Sequence, residues 1–189
     1  MSAMTRALEG SDHRTYTVDD ILRLQDAGLI SEDDRFELID GEIIPMGPKY
    51  FPHDNIKMKL GRSLDRACPE DLFCAQEPSV QLSAGSFVDP DMCLFRPFSE
   101  QIDKLVPIRL LLLAIEVSST TLRYDLDRKA RAYARAGLPE LWVVDVQTRR
   151  THIHTGPSEN GWASVVVREA DEDLTFAALP EWRVRLKDL

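Results

Sequence analysis

The run of six apolar residues at positions 110–115 constrains the fold of this chain more than any other feature. A continuous apolar run of this length is typical of a β-strand that is buried on both faces, inside a sheet that helices cover. A helical pattern follows the run and ends near Gly137 and Pro139, and a second apolar strand covers residues 141–146. Strand, helix and strand form a βαβ unit, which predicts that the two strands lie parallel in one sheet.

Shorter patterns extend this unit to an α/β domain with a mixed central β-sheet, flanked by helices and carrying extra β-hairpins. Asp40-Gly41 separates two apolar runs and predicts a two-residue hairpin. Thr17 or Asp19 is expected to cap a short helix, and the periodicity predicts another helix over residues 53–67. Further strands are expected at residues 80–82 and 88–95, paired around the turn at 83–86, and at residues 151–155, 162–168 and 182–186.

Length and charge restrict the class of protein. At 189 residues the chain fits one domain, expected over residues 16–189, after a flexible polar leader at residues 1–15. No apolar stretch reaches the roughly 20 residues that span a bilayer, and the leader lacks a signal-peptide core, so we expect a cytoplasmic protein without a membrane partner. The net charge of −9 counts against broad non-specific nucleic-acid binding. It does not exclude a nuclease, because metal-binding carboxylates contribute to it.

Two carboxylates lie where an unpaired charge would be costly. Glu116 directly follows the apolar run, and Asp91 lies near the centre of a second apparent strand, FVDPDMCLF, at residues 87–95. Pro90 removes a ladder hydrogen bond, so that strand can be irregular and direct a side chain outward. Alternation places Asp89 on the same face, and the Pro-Asp pair favours Asp91; an ordinary turn is the alternative. Two carboxylates on neighbouring strands predict a divalent-metal site for phosphodiester chemistry.

Lys129 lies on the predicted helix that follows the buried strand. At 100° per residue it falls within about 40° of Tyr133, close to the apolar face of the helix, and is therefore expected to point toward the sheet near Glu116. A lysine there can stabilise charge on a phosphoryl group or help to position the attacking water. The alternative is an ion pair with Asp125, four residues earlier on the helix flank.

Other polar residues and the tryptophans have simpler interpretations. Glu37 on the hairpin fits a solvated strand face, and His53 at the start of a helix fits a surface role. His152 and His154 share a strand face, but no third metal ligand follows nearby. Trp142, Trp162 and Trp182 are typical of a core, although a structural oligomer subunit would use them as an interface. The three cysteines lack a CxxC spacing and are expected to be reduced.

The order of these residues resembles that of one protein family. Glu37 in RFELIDGEI, His53 after a loop, Pro90-Asp91, Glu116-Val117-Ser118, and then Tyr124-Asp125 with Lys129 and AYARAGLPELWVVD are similar to the Uma-two-type family. That family belongs to the PD-(D/E)XK restriction-endonuclease-like superfamily. The resemblance covers about residues 16–186, and its most specific part is 116–145.

The resemblance implies a restriction-endonuclease-like core and a metal-dependent endonuclease that cleaves nucleic acid, with DNA as the expected substrate. Asp91, Glu116 and Glu37 would hold Mg²⁺ or Mn²⁺, Lys129 would act on the phosphate, and His53 would lie nearby. The resemblance also implies a homodimer.

One position departs from the superfamily pattern, which expects a lysine two residues after Glu116, where this chain has Ser118. In this family the lysine is supplied by the following helix, at the position of Lys129. The alternative is a degenerate member that binds nucleic acid or protein without cleavage.

Overall fold

The computed structural model describes residues 15–31 and 33–189. Residues 1–14, nearly all of the predicted leader, lie outside the described residues, and the division into a leader and one domain stays a prediction. In chain order the elements are α1 Val18–Asp26, β1 Phe36–Ile39, β2 Glu42–Pro45, α2 Phe51–Ala67, β3 Phe73–Gln76, β4 Val80–Ser83, β5 Ser86–Val88, β6 Met92–Phe95, β7 Val106–Pro107, β8 Leu111–Ser118, α3 Leu122–Tyr124, a π-helical turn Asp125–Lys129, α4 Ala130–Arg135, β9 Glu140–Asp145, β10 Thr151–Ser158, β11 Gly161–Arg168, β12 Leu174–Phe176 and β13 Leu179–Val184, with 3₁₀ turns at Ile108–Leu110 and Leu186–Asp188.

The larger sheet contains the predicted βαβ unit. Its strand order is β11-β10-β9-β8-β6-β3. Strands β8 and β9 pair in parallel through Leu113↔Glu140 to Ser118↔Asp145, and the other pairs in this sheet are antiparallel. The helical segment from Leu122 to Arg135 connects the two parallel strands. The predicted α/β class with a mixed central sheet is confirmed.

A second sheet has the order β2-β1-β5-β4-β7 and carries the predicted hairpin. Strands β1 and β2 pair up to Ile39↔Glu42. The two turn residues, Asp40 and Gly41, have φ values of 54° and 79°. This positive φ at both central positions is what a tight two-residue hairpin requires, and it explains the Asp-Gly pair.

The predicted continuous strand over residues 88–95 is wrong. β5 ends at Val88 and belongs to the smaller sheet, whereas β6 begins at Met92 and belongs to the larger one. The intervening Asp89-Pro90-Asp91 crosses from one sheet to the other. The physical reason is Pro90, which cannot donate a ladder hydrogen bond. Asp91 therefore precedes its strand instead of lying at its centre.

Other boundaries also differ from the sequence pattern. Helix α2 begins two residues before the predicted start, because Pro52 is tolerated in the first turn of a helix, where its missing N–H is not needed. The sequence pattern does not predict β3, β7 or β12, which are short and lack clear alternation. All three cysteines are free thiols, as expected. Within residues 15–31 and 33–189, no helix is long and apolar enough to cross a membrane.

The larger core cluster lies where α2 and the β12–β13 ribbon pack on the six-stranded sheet. Trp142 of β9 and Trp182 of β13 are almost fully buried there and stack with ring centroids 5.3 Å apart. Trp162 is half-buried, and its indole N–H donates to the carbonyl of Ala130 at 2.8 Å. The alternative in which Trp142 and Trp182 form an exposed interface is therefore wrong.

Truncating Trp182 should measurably destabilise the fold. Trp182→Ala removes the stacking partner of Trp142 and leaves a cavity under the ribbon, so we expect the free energy of unfolding to fall by about 3–5 kcal/mol. Equilibrium unfolding in urea, followed by circular dichroism, measures this loss. Trp162→Ala is the matched control and should cost clearly less, because Trp162 is half-buried. Equal losses for the two variants would contradict the proposed role of the stack.

Candidate active site

The two sheets bring the predicted acids together at one edge. β6 and β8 are antiparallel with Met92 opposite Ile115, so Asp91 and Glu116 are placed side by side. Both are about 4% exposed. Asp91 accepts a hydrogen bond of 2.8 Å from the backbone N–H of Val117, the residue after Glu116. The sequence prediction placed both carboxylates on neighbouring strands; Glu116 does lie on β8, whereas Asp91 directly precedes β6.

Glu37 reaches the same place from the other sheet. Two arginines of the helical segment hold the β1–β2 hairpin against it: Arg135 donates to both carboxylate oxygens of Asp40 at 2.8 and 2.9 Å, and Arg128 donates to the Ile39 carbonyl at 3.1 Å. Glu37 is 3% exposed. Its interpretation as a solvated residue on the hairpin is therefore wrong.

Lys129 joins the two glutamates. Its Nζ lies 2.9 Å from Oε2 of Glu116 and 2.6 Å from Oε1 of Glu37. The Tyr133 hydroxyl donates to the other oxygen of Glu116 at 2.7 Å. Asp125, the alternative partner of Lys129, instead accepts hydrogen bonds from Ser118 and from Thr121. Lys129 thus points toward the sheet, as its position near the apolar face of the helix predicts.

The helix is locally wider and underwound around Lys129. Residues Asp125–Lys129 form a π-helical turn, and the N–H of Ala130 donates to the carbonyl of Asp125. Such turns occur frequently at functional sites, because the extra residue changes the direction of the side chains that follow. Ser118, which stands where the superfamily pattern has lysine, is fully buried and donates to Asp125 at the start of this turn.

Burial changes the proton affinity of the glutamates. Two carboxylates face one ammonium group in a site nearly closed to water, and burial disfavours the charged form of an acid. Burial therefore raises the pKa of Glu116 to about 8, against the opposing charge of Lys129. Burial also raises the pKa of Glu37. Burial alone would lower the pKa of Lys129, but the charges of Glu116 and Glu37 keep it well above its ordinary value.

Asp91 has different surroundings. His53 Nε2 lies 3.2 Å from one carboxylate oxygen of Asp91, and Lys49 Nζ lies 2.9 Å from the other. Burial opposes ionisation of Asp91, but the hydrogen bond to His53 and the charge of Lys49 hold its pKa well below its usual range. Burial would lower the pKa of His53, but its hydrogen bond with Asp91 raises it overall. His53 is buried beside Asp91, so its interpretation as a surface residue is wrong.

Lys49 is a site residue that sequence reasoning misses. It lies in the loop before α2, between Asp91 and Glu77. Glu77 has a φ of 51° and also contacts Lys57 at 2.9 Å and Arg35 at 3.7 Å. The only signal for Lys49 in the sequence is its position four residues before His53. Tyr133 is also missed, although it follows Lys129 by one helical turn on the same face.

The donor set suits a hard divalent cation chemically. Asp91, Glu116, Glu37 and Asp89 all line a cavity of about 200 Å³, and carboxylate oxygens are the ligands that Mg²⁺ and Mn²⁺ prefer. The Oδ1 atom of Asp89 is buried without a hydrogen-bond partner, so it is available as a further ligand. Across residues 15–31 and 33–189, no three His, Cys, Asp or Glu side chains stand at metal-site spacing. Lys49 and Lys129 pair with the carboxylates instead.

His152 and His154, the histidine pair noted in the sequence, lie on β10 of the larger sheet. His154 is buried, its Nδ1 lies 3.2 Å from the backbone carbonyl of His152, and its ring packs on Trp162 with centroids 5.7 Å apart. Neither histidine lines the cavity that contains the carboxylates.

Comparison with known proteins supports the resemblance seen in the sequence. A family described as "Uma2: Putative restriction endonuclease" matches residues 18–187. A solved structure titled as a putative nuclease belonging to DUF820, from Anabaena variabilis ATCC 29413, superposes with a TM-score of 0.74 at 18% identity, over 91% of this chain and 96% of that chain. NucC from E. coli MS115-1 in its apo form has a TM-score of 0.31 at 17% identity, over 63% of this chain and 55% of that chain. No curated protein matches the chain. The chain belongs to the Uma2 family and has the fold of the DUF820 structure.

Proposed function

We propose that this protein is a divalent-metal-dependent endonuclease that hydrolyses phosphodiester bonds of DNA. The observation that carries the proposal is the meeting of Asp91, Glu116 and Glu37 with Lys129 in one cavity, from four separate elements. Apolar residues would stabilise a core at least as well as four buried charged side chains do. The clustering of these four charges in one cavity therefore indicates a chemical role. Membership of the Uma2 family supports nuclease chemistry as that role.

The metal would be held by Asp91, Glu116 and Glu37. When bound, a divalent cation supplies an activated water and neutralises charge on the leaving oxygen. Asp91 is ionised throughout the neutral range, because its pKa is held well below the usual value, and it is ready to accept a cation. His53 and the Val117 N–H fix the direction of the Asp91 carboxylate.

The other residues act on protons and on phosphate charge. Lys129 carries its positive charge next to the acids and can donate hydrogen bonds to a phosphoryl oxygen as negative charge develops there. Glu37 would complete the metal shell or accept a proton from the attacking water. Tyr133 fixes the orientation of Glu116 through its hydroxyl group.

Cleavage of DNA is the direct test. Supercoiled plasmid and single-stranded DNA are incubated with wild type in Mg²⁺, Mn²⁺ or EDTA, and Asp91→Ala protein purified in the same way controls for contaminating nucleases. We expect metal-dependent nicking that is lost in EDTA and in the variant. Cleavage by Asp91→Ala at the wild-type rate would refute the assignment of the site.

A binding module without catalysis is the second candidate. Ser118 replaces the lysine of the superfamily pattern and is committed to a hydrogen bond with Asp125, and the surface charge is negative. Titration calorimetry with Mn²⁺ separates the two functions. A nuclease must bind the metal in a manner that depends on Asp91, whereas a binding module need not bind it.

Assembly and location stay predictions. A homodimer follows from the family resemblance, and the edge strand β11 supports it, because three consecutive valines there are exposed: Val165, Val166 and Val167. Exposed apolar patches on an edge strand commonly mark an interface. Sedimentation that shows only a monomer would contradict the dimer. The cytoplasmic location rests on the sequence alone.

A further inference from the structure

Two adjacent aromatic residues are exposed next to the site: Tyr50, which lines the cavity, and Phe51, which follows it in the chain and does not line it. Tyr50 and Phe51 are 57% and 78% exposed, and Tyr50 lines the cavity that contains Asp91 and Glu116. Two such rings side by side form a contiguous apolar patch, and patches of this kind can mark a ligand-binding surface. Their position beside the acids suggests that this ligand is the substrate of the proposed nuclease.

The backbone that carries these rings is fixed relative to the site. Tyr50 is the N-cap residue of α2, and its carbonyl accepts hydrogen bonds from the N–H groups of His53 at 3.0 Å and Asp54 at 3.2 Å. The His53 ring is in turn held by Asp91 at 3.2 Å and by Asp54 at 3.1 Å. One turn of helix therefore links the two rings to the carboxylate that is expected to bind metal.

The charges next to the rings suit a polyanion. Lys49 precedes Tyr50 directly, and together with Lys57 and Arg35 it surrounds Glu77. Three cations, of which Lys49 lines the cavity, are shared between two carboxylates, Glu77 and Asp91. In a protein of net charge −9 such a local excess of positive charge can guide a phosphate backbone to the site.

The burial of the acids favours a flexible strand over a duplex. The residues Asp91, Glu116 and Glu37 are only 3–4% exposed, and they line a cavity of about 200 Å³. A scissile phosphate must enter that cavity, which an extended single strand can do more easily than a stiff double helix. An exposed ring can stack only on a base whose face is free, and bases inside a duplex already stack on their neighbours.

We propose that Tyr50 and Phe51 form a stacking platform for unpaired bases, and that the substrate class of this site is single-stranded or locally unpaired nucleic acid. This inference rests on the proposed nuclease function, because the platform serves the cavity that contains the acids. The cations around Glu77 would contact the phosphates that flank the stacked bases.

Binding without cleavage tests the platform. The probes are a fluorescein-labelled oligothymidine and a labelled duplex of equal length, both measured by fluorescence anisotropy in EDTA. The Tyr50→Ala/Phe51→Ala double variant should bind the oligothymidine at least about tenfold more weakly than wild type, since base–aromatic stacking contributes about 1–3 kcal/mol per base. Phe73→Ala is the matched control, because Phe73 is an exposed phenylalanine on β3, away from the start of α2 that carries Tyr50 and Phe51, and it should bind as wild type does.

A second measurement detects stacking directly. In a Phe51→Trp variant, stacking of thymine on the indole should quench the additional tryptophan fluorescence when oligothymidine is added, and the duplex should quench it less. Tyr50→Phe should keep wild-type affinity, because stacking needs the ring and not the hydroxyl group. The proposal would be overturned if oligothymidine quenched this fluorescence but bound the Tyr50→Ala/Phe51→Ala variant as tightly as wild type.

Each outcome separates this inference from the proposed function. A wild type that cleaves DNA while the double variant keeps full oligothymidine affinity refutes the platform alone. Ring-dependent oligothymidine binding by a protein that never cleaves refutes the nuclease function alone. If the double variant loses duplex binding equally, or changes from dimer to monomer in sedimentation, the rings are not a single-strand platform and the proposal is wrong.

Discussion

Replacing Glu116 with glutamine should abolish most metal-dependent cleavage and, in the absence of metal, stabilise the protein at alkaline pH. The expected loss of cleavage rate is about 10³-fold or more, because a lost metal ligand removes several kcal/mol of transition-state stabilisation. Initial rates of plasmid nicking in Mg²⁺ measure this loss. The side chain keeps its shape, so Tyr133 can still contact it.

The effect on stability follows from the pKa of Glu116. In the folded protein it is about 8, above the ordinary value of 4.5. The folded state therefore binds this proton more tightly than the unfolded chain, and the free energy of unfolding falls as the pH rises between these two values, by up to about 1.4 kcal/mol per pH unit. Glu116→Gln has no proton to lose there, so its stability should fall less.

Urea unfolding in EDTA at pH 5 and pH 8 measures this difference. The raised pKa of His53 also makes stability fall as the pH rises through that pKa, but His53 is present in both proteins, and the comparison between them isolates Glu116. We expect Glu116→Gln to be more stable than wild type at pH 8 and close to it at pH 5. A variant that is less stable than wild type at pH 8 would show that Glu116 is fully compensated by Lys129.

Replacing Lys129 with methionine should have the opposite effect on stability and a similar effect on activity. Cleavage should fall about 10²–10³-fold, the usual loss when one preorganised donor to a developing negative charge is removed. Without metal, Glu37 and Glu116 would face each other without a cation, so the free energy of unfolding at pH 8 should fall by about 3–5 kcal/mol. At pH 5 the loss should be smaller, because both glutamates can take up protons.

Lys57→Met is the matched control for Lys129→Met. Lys57 also pairs with a glutamate, but Glu77 is exposed to solvent and has two other cationic neighbours, so the change in stability should be small. The Glu116→Gln/Lys129→Met double variant should recover part of the stability that Lys129→Met loses. If Lys129→Met keeps wild-type cleavage, Lys129 is not the residue that replaces the lysine of the superfamily pattern.

Local sequence patterns predicted those parts of the fold whose interactions are local. The apolar run at 110–115 and the helix ending near Gly137 were enough to predict the parallel pairing of β8 and β9. The Asp40-Gly41 pair was enough to predict the hairpin, because few residue pairs tolerate positive φ at both turn positions. The orientation of Lys129 followed from helical periodicity. Two apolar runs were enough to predict that Asp91 and Glu116 lie near neighbouring strands, although Asp91 precedes its strand and was predicted near the centre of one.

Contacts between distant segments were decided only by the tertiary structure. No local pattern shows that the chain changes sheets at Asp89-Pro90-Asp91, because the apolar pattern of the sequence is the same whether the segment forms one strand or two. Lys49 reaches Asp91 across 42 residues of chain, and the Arg128–Ile39 contact that holds the Glu37 hairpin spans 89. Such pairs depend on strand register and helix docking, which the packing of the whole core determines. The sequence alone thus determined which residues carry charge into buried elements, and the tertiary structure decided which charges meet, because Coulomb and hydrogen-bond energies depend on distances that only the folded chain sets.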